Sequence, residues 1–183
     1  MKRIILAIAV TACFISQINA QFHFGVKGGI NFQQAKLAKT DLAVKNSTGW
    51  QAGALLQVKV PGVGLAVQPE LLYTASKVSL DGVSNTINYF EVPINVHWGP
   101  KLLLVHPYLQ AGPYFAYALS SGGEQFKDNI NKFDWGIGLG GGVEFWKLQI
   151  DARYSWGLQN VSGVKDFEMK NNRFTLSLGF FFL

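Results

Sequence analysis

Histidines and carboxylates are the side chains of this sequence with the most chemistry to offer. His23, His97 and His106 carry imidazole nitrogens that elsewhere ligate metals or relay protons. Glu70, Glu91, Glu144 and Asp151 are acids that, brought together in pairs, could serve acid–base catalysis. Lys27, Lys59 and Arg153 are the cations that would neutralise them. None of these residues sits in a recognisable catalytic spacing. The single cysteine, Cys13, lies in an apolar N-terminal run and leaves no thiol pair for a disulfide or a Cys-based metal site. The glycines from Gly138 to Gly142 look superficially like a phosphate-binding loop, but no Lys-Ser/Thr follows them and they alternate within a strand pattern. No catalytic residue, metal site or cofactor is therefore expected.

The elements that must position these groups are strands. Residues 147–158 show it best: Leu148, Ile150, Ala152, Tyr154, Trp156 and Leu158 alternate with Lys147, Gln149, Asp151, Arg153, Ser155 and Gly157. A period of two is the strand signature. The same split recurs in 22–32, 50–60, 65–76, 88–98, 103–119, 133–145 and 173–183, which predicts eight strands. Tyr89 is out of pattern in its run. Pro107 and Pro113 remove backbone donors from the fifth strand, which predicts local bulges or water there. Every candidate charge and every histidine falls on the polar parity. Short turns follow the second, fourth and sixth strands, at Pro61-Gly62-Val63, Gly99-Pro100-Lys101 and Trp146-Lys147. Longer polar loops are expected near 33–49, 77–87, 120–132 and 159–172. Short turns at one rim and long loops at the other describe an up-and-down membrane barrel with both termini at the short-turn, periplasmic side.

Alternation alone does not say which face meets solvent, but three patterns point to an apolar exterior. Gly136, Gly138, Gly140 and Gly142 leave a bare stripe on the polar face, useful where large side chains crowd a narrow interior. Aromatics gather at both ends of the apolar face. Trp50, Tyr73, Phe90, Trp135, Trp156 and Phe174, with Phe32 and Tyr117, mark the long-loop rim. Trp98 and Phe145, with Phe24, Phe180 and Phe182, mark the other. That is the double girdle of a protein crossing two interfaces. The polar face carries charges of both signs: Lys27, Lys59 and Arg153 against Glu70, Glu91, Glu144 and Asp151. An eight-stranded barrel is just wide enough for side chains to fill, so these residues are expected to form an ion-paired plug.

The remaining features bound the context. The chain has 183 residues, 49% of them hydrophobic and 15% charged, with 20 Gly and 14 Phe, a composition suited to many strands in one domain. Residues 1–20 read as a signal peptide, with Lys2 and Arg3 before the apolar stretch Ile4 to Ile15 and small Ala20 at its end. Acylation at Cys13 is the competing reading. The barrel domain would be 21–183. No Lys/Arg run exceeds Lys2-Arg3, so nothing suggests nucleic acid as a partner.

Several stretches then become recognisable: Phe24-Gly25-Val26-Lys27-Gly28-Gly29-Ile30-Asn31, Gln68-Pro69-Glu70-Leu71, Tyr89-Phe90-Glu91-Val92-Pro93-Ile94, His106 through Tyr114, and Ala152 through Leu158. Over essentially all of 21–183 the chain resembles the PorT-like family of small outer-membrane β-barrel proteins. The resemblance implies an eight-stranded antiparallel transmembrane barrel in the outer membrane, surrounded by lipid, with no common catalytic site. The last strand also resembles an outer-membrane assembly signal, which implies contact with the barrel-assembly machinery during insertion, although Leu183 follows the in-phase aromatic Phe182. The functional expectation is a non-enzymatic barrel with a plugged polar interior, serving envelope structure or binding through its loops. A pore or transporter for small solutes is the alternative, and a lipid-modifying enzyme a third reading.

Overall fold

The computed structural model describes residues 21–37, 47–80, 83–100, 102, 104–121, 133–158 and 169–182. The expected signal segment 1–20, Cys13 and Leu183 lie outside them. Eight antiparallel strands run in chain order: β1 (Gln21–Leu37), β2 (Ser47–Val60), β3 (Leu65–Leu80), β4 (Val83–Trp98), β5 (Val105–Ser121), β6 (Phe133–Phe145), β7 (Leu148–Gly157) and β8 (Met169–Phe181). Each pairs with its sequence neighbours, and β8 closes on β1. Closure is what lipid demands, because no water is present to satisfy an open edge. Following paired residues around the barrel goes from Phe22 through Val58, Val67, Val96, Ala111, Leu139, Tyr154 and Phe174 back to β1 at Phe32. The return point lies ten residues from the start, a stagger that goes with strands tilted by roughly 35–45° to the barrel axis.

The faces are inverted relative to a water-soluble sheet. Large apolar side chains stand on the outside, with Trp50 at 52% and Leu139 at 53% exposed, while Gln57, Gln68, His97 and Gln149 are fully enclosed. Two positions the pattern grouped with the polar parity, Leu55 and Leu72, are also buried inside. Aromatic rings of the outer face form neighbouring contacts near the long-loop rim: Phe32 with Phe174 at 6.4 Å, Trp50 with Tyr73 at 5.7 Å, Tyr73 with Phe90 at 5.9 Å. Tyr154 meets Trp156 edge-on at 4.8 Å on the same side. Near the other rim Phe24 and Phe180 both contact Phe182.

Two local expectations are corrected and a third is narrowed. The segment 77–87 is mostly strand, since the β3–β4 ladder runs on to Leu80↔Val83. Beyond the lipid band the apolar alternation is no longer required, but backbone pairing still satisfies the main chain, so the sequence signal stops before the strand does. The same cause extends β1 to Leu37 and starts β8 at Met169. Second, the fifth strand starts at Val105, not 103, because Leu102 and Val105 exchange backbone hydrogen bonds across a tight turn. Third, Pro107 and Pro113 cause no bulge, as the β5–β6 register is unbroken from Val105↔Phe145 to Tyr117↔Phe133. The β4–β5 ladder instead skips from Pro93↔Tyr114 to Val96↔Ala111, beside Pro113, and Pro107 lies past the last β4 pair, Trp98↔Leu109. The bulge falls at Asn88/Tyr89, where the sequence pattern also faltered.

The β2–β3 turn needs glycine: Gly62 and Gly64 adopt φ of 82° and 68°. The Gly64 carbonyl accepts from the Gly99 amide at 3.0 Å, stitching this turn to the next. The β6–β7 turn is different. Trp146 takes φ of 55°, where Asn or Gly usually serves a two-residue hairpin, and such a conformation costs a bulky residue about 1–3 kcal/mol.

A charge on the outer face should expose this inversion. Leu139→Arg, midway along the lipid face of β6, should destabilise the barrel in vesicles by about 2–4 kcal/mol, whereas Phe133→Arg at the strand end should cost only about 0–1 kcal/mol. Urea midpoints of the two variants, followed by the heat-dependent shift in gel mobility, measure the difference. Equal costs at both depths would contradict the lipid-facing assignment.

Candidate functional site: the enclosed polar lumen

The polar parity of all eight strands converges on the barrel axis, and its side chains pair in successive tiers. Nearest the short turns, Lys59 Nζ meets Glu144 Oε2 at 2.6 Å, and Gln57 donates to the other carboxylate oxygen at 2.5 Å. His106 adds Nδ1 at 3.4 Å from Glu144 Oε2 and Nε2 at 3.2 Å from the Gly99 carbonyl. Gln57 also donates to Gln68 at 3.0 Å, linking this tier to the next.

In the middle tier Lys27 bridges two acids, Glu70 and Asp151, each at 2.9 Å. Glu70 further accepts from Gln68 at 2.8 Å and Asn95 at 3.2 Å, while Gln110 donates to Asp151 at 3.2 Å. Gln68 and Gln149 face each other at 3.2 Å. The partners come from β1, β3, β4, β5 and β7, so the tier spans the lumen rather than one sheet seam. His97 and Tyr108 stack beside it, 4.3 Å apart and within 8° of parallel.

Toward the long loops Arg173 Nη2 donates to both oxygens of Glu91, at 2.5 Å each. The Tyr114 ring lies 5.6 Å below the Arg173 guanidinium, and its hydroxyl donates to Asp134 at 3.5 Å. Arg153 donates to the Gly112 carbonyl at 3.2 Å. The glycine stripe of β6 makes room for these bulky groups. A Cβ at Gly138 would collide with the Arg153 guanidinium, one at Gly136 would lie 2.6 Å from the Tyr114 ring, and one at Gly142 would lie 2.5 Å from the Tyr108 hydroxyl.

All seven charges singled out in the sequence point inward, and the structure fixes their partners. Lys27 takes Glu70 and Asp151, and Lys59 takes Glu144. Glu91 pairs with Arg173, not with Arg153. Arg173, Asp134 and the glutamine set were not singled out, although parity alone placed them on this face; only the register shows which side chains meet. Among the described residues, no group of three His, Cys, Asp or Glu side chains could hold a metal ion. His23 contacts the Phe181 ring edge-on, His97 stacks on Tyr108, and His106 meets both Glu144 and the Tyr108 ring, the latter at 6.2 Å.

Comparison with known proteins gives a consistent picture. The family described as outer membrane protein beta-barrel domain matches residues 15–163. No curated protein matches the chain. Among solved structures, the Neisserial surface protein A is similar with a TM-score of 0.53 at 17% identity, covering 87% of this chain and 97% of that one. The Yersinia pestis attachment invasion locus protein Ail, solved in complex with the heparin analogue sucrose octasulfate, gives 0.51 at 17% identity, covering 88% and 99%. Both likenesses show the barrel fold.

The Glu91–Arg173 pair allows a direct test of how the lumen is held. Removing one partner, as in Arg173→Met, strands a buried carboxylate and should cost about 3–5 kcal/mol, whereas the double variant Glu91→Gln/Arg173→Met should recover much of that loss. Urea unfolding from lipid vesicles reads the cycle, and additive losses would show that the two groups do not interact.

Proposed function

Because the chain belongs to the outer membrane protein beta-barrel domain family, and so resides in the outer membrane within lipid, we propose that it is a non-enzymatic barrel that passes no solute and acts through envelope structure or through its long-loop rim. The observation that carries this reading is the succession of cross-lumen pairs along the barrel. Lys59–Glu144, Gln57–Gln68, Lys27–Glu70–Asp151 and Glu91–Arg173 succeed one another along the axis, each joining strands across the lumen. A through-pore would need those pairs separated, at the cost of leaving charges unpaired in a narrow enclosure. The histidines and carboxylates are engaged in packing and ion pairs, which supports a structural rather than catalytic use.

A PorT-like assignment within the family is the finer reading, supported by the ordered stretches from Phe24 to Leu158. The alternating C-terminal strand, with Phe180 and Phe182 on its lipid face, supports recognition by the barrel-assembly machinery during insertion.

Planar-bilayer recordings test the plug. The purified barrel should give no stable single-channel steps. Glu91→Ala/Arg173→Ala, which empties the tier nearest the long loops, should also remain closed, because the Lys27 and Lys59 tiers persist below it. Large, regular conductance steps from the unaltered protein would establish the pore reading instead.

A further inference from the structure

The lumen tiers leave a stretch of enclosed wall incompletely satisfied. His97 is fully buried, its ring is stacked on Tyr108, and neither ring nitrogen has a hydrogen-bond partner in the protein. Asn95 Oδ1, Gln110 Oε1 and Gln57 Oε1 are buried acceptors that likewise lack a donor. These residues are neighbours. His97 pairs with Gln110 across the β4–β5 ladder, and Asn95 lies two residues away on the same face of β4. Gln68, which pairs with Asn95 and accepts from Gln57, joins them to β2. Charge fixes the orientation of the three amides. Each turns its NH2 end to a carboxylate, Asn95 to Glu70, Gln110 to Asp151 and Gln57 to Glu144. A flipped amide would set oxygen against oxygen, so the carbonyl ends stay on the unpartnered side.

We propose that this wall binds a small cluster of internal water, anchored on the His97 imidazole and shared with the carbonyl oxygens of Asn95, Gln110 and Gln57. Buried polar atoms in folded proteins almost always find a partner, and water serves where no side chain reaches. The chemistry of the wall matches water. Its carbonyl oxygens need a ligand that donates hydrogen bonds, and the N–H of an imidazole needs one that accepts. Charge argues against an ion, because the adjoining tiers are balanced: Lys27, Lys59 and Arg153 stand against Glu70, Asp151 and Glu144. The flanking inward positions are small, with Ala66 opposite His97 on β3 and Gly140 opposite Gln110 on β6. At about three hydrogen bonds per buried water, these atoms call for about two molecules. Such water is a component of the plug, distinct from solvent passing through it.

Water-selective nuclear Overhauser spectra of the full barrel in lipid nanodiscs test the site. Long-lived water should transfer magnetisation to the side-chain amide protons of Asn95 and Gln110 and to the His97 ring. His97→Phe preserves a ring over Tyr108 and removes both nitrogens. It should abolish the amide cross-peaks and lower the folding constant, read by urea titration, about tenfold, because the carbonyl oxygens lose their bridging partner. A dry wall predicts the opposite sign, since removing unsatisfied nitrogens would leave the barrel as stable as before or more so. An unchanged or raised folding constant in His97→Phe therefore overturns the site. Spectra of the unaltered barrel that lack the water cross-peaks overturn it as well, even where His97→Phe does not fold. A loss of stability when sodium and potassium are replaced by choline would show a cation in this place and overturn the assignment to water.

Discussion

Lipid cannot hydrogen-bond to a main chain, and most of this structure is a consequence of that. Every strand must find two neighbours, so the sheet closes between β8 and β1 and the side chains divide between a hydrocarbon outside and a confined inside. Once the outside is apolar, the polar parity is enclosed by the barrel, and its charges meet across the lumen. Eight strands with a stagger of ten residues leave a lumen that side chains can fill. The lumen residues then become a packing problem in which Gln, Asn, Lys, Arg and carboxylates take the role that Leu and Val play in a soluble core. The glycine stripe on β6 belongs to the same logic: Arg153, Tyr114 and Tyr108 occupy space that a Cβ at Gly138, Gly136 or Gly142 would take.

The same constraint explains how the ladder tolerates proline. Pro113 faces β4, and the β4–β5 rungs lapse beside it. Pro93 and Pro69 coincide with similar lapses in the β3–β4 and β2–β3 ladders, and none of the three shifts the register. Losing one donor per seam is affordable where rungs above and below remain paired. A bulge would be worse, because one extra residue inverts every side chain beyond it. The bulge at Asn88/Tyr89 sits near the long-loop end of β4, where the inversion has little strand left to act on.

Much of this was legible in the sequence because parity is a one-dimensional signal. The number of strands, their inside and outside faces and the short turns all follow from residue type and spacing, as Leu148 to Leu158 illustrate. What parity cannot encode is neighbourhood. Arg153 and Arg173 both lie on the inner parity, and nothing in the string says that Glu91 takes Arg173 while Arg153 turns to the Gly112 carbonyl. That choice depends on the stagger between strands, which no single strand carries. The segment 77–87 failed for a different reason: its strand is defined by backbone pairing past the lipid band, where side-chain alternation stops reporting it.

Buried ion pairs are a weak source of stability, because desolvating two charges offsets much of their attraction, and an apolar lumen would pack without that cost. It would also leave nothing to distinguish the inner face from the outer one. With Leu on both parities, a strand could slip by one residue and remain equally comfortable. Here a one-residue slip of β1 would carry Lys27 into hydrocarbon and Val26 inside, at several kcal/mol for the charge alone. A two-residue slip would keep the parity but part Lys27 from Glu70 and Asp151, which are held by β3 and β7 rather than by its neighbours β2 and β8. Cross-lumen pairs therefore specify the stagger as well as the face. Neighbouring-strand contacts cannot do that, because each sees only one seam, whereas Glu91 on β4 and Arg173 on β8 meet only when every seam between them has the correct offset.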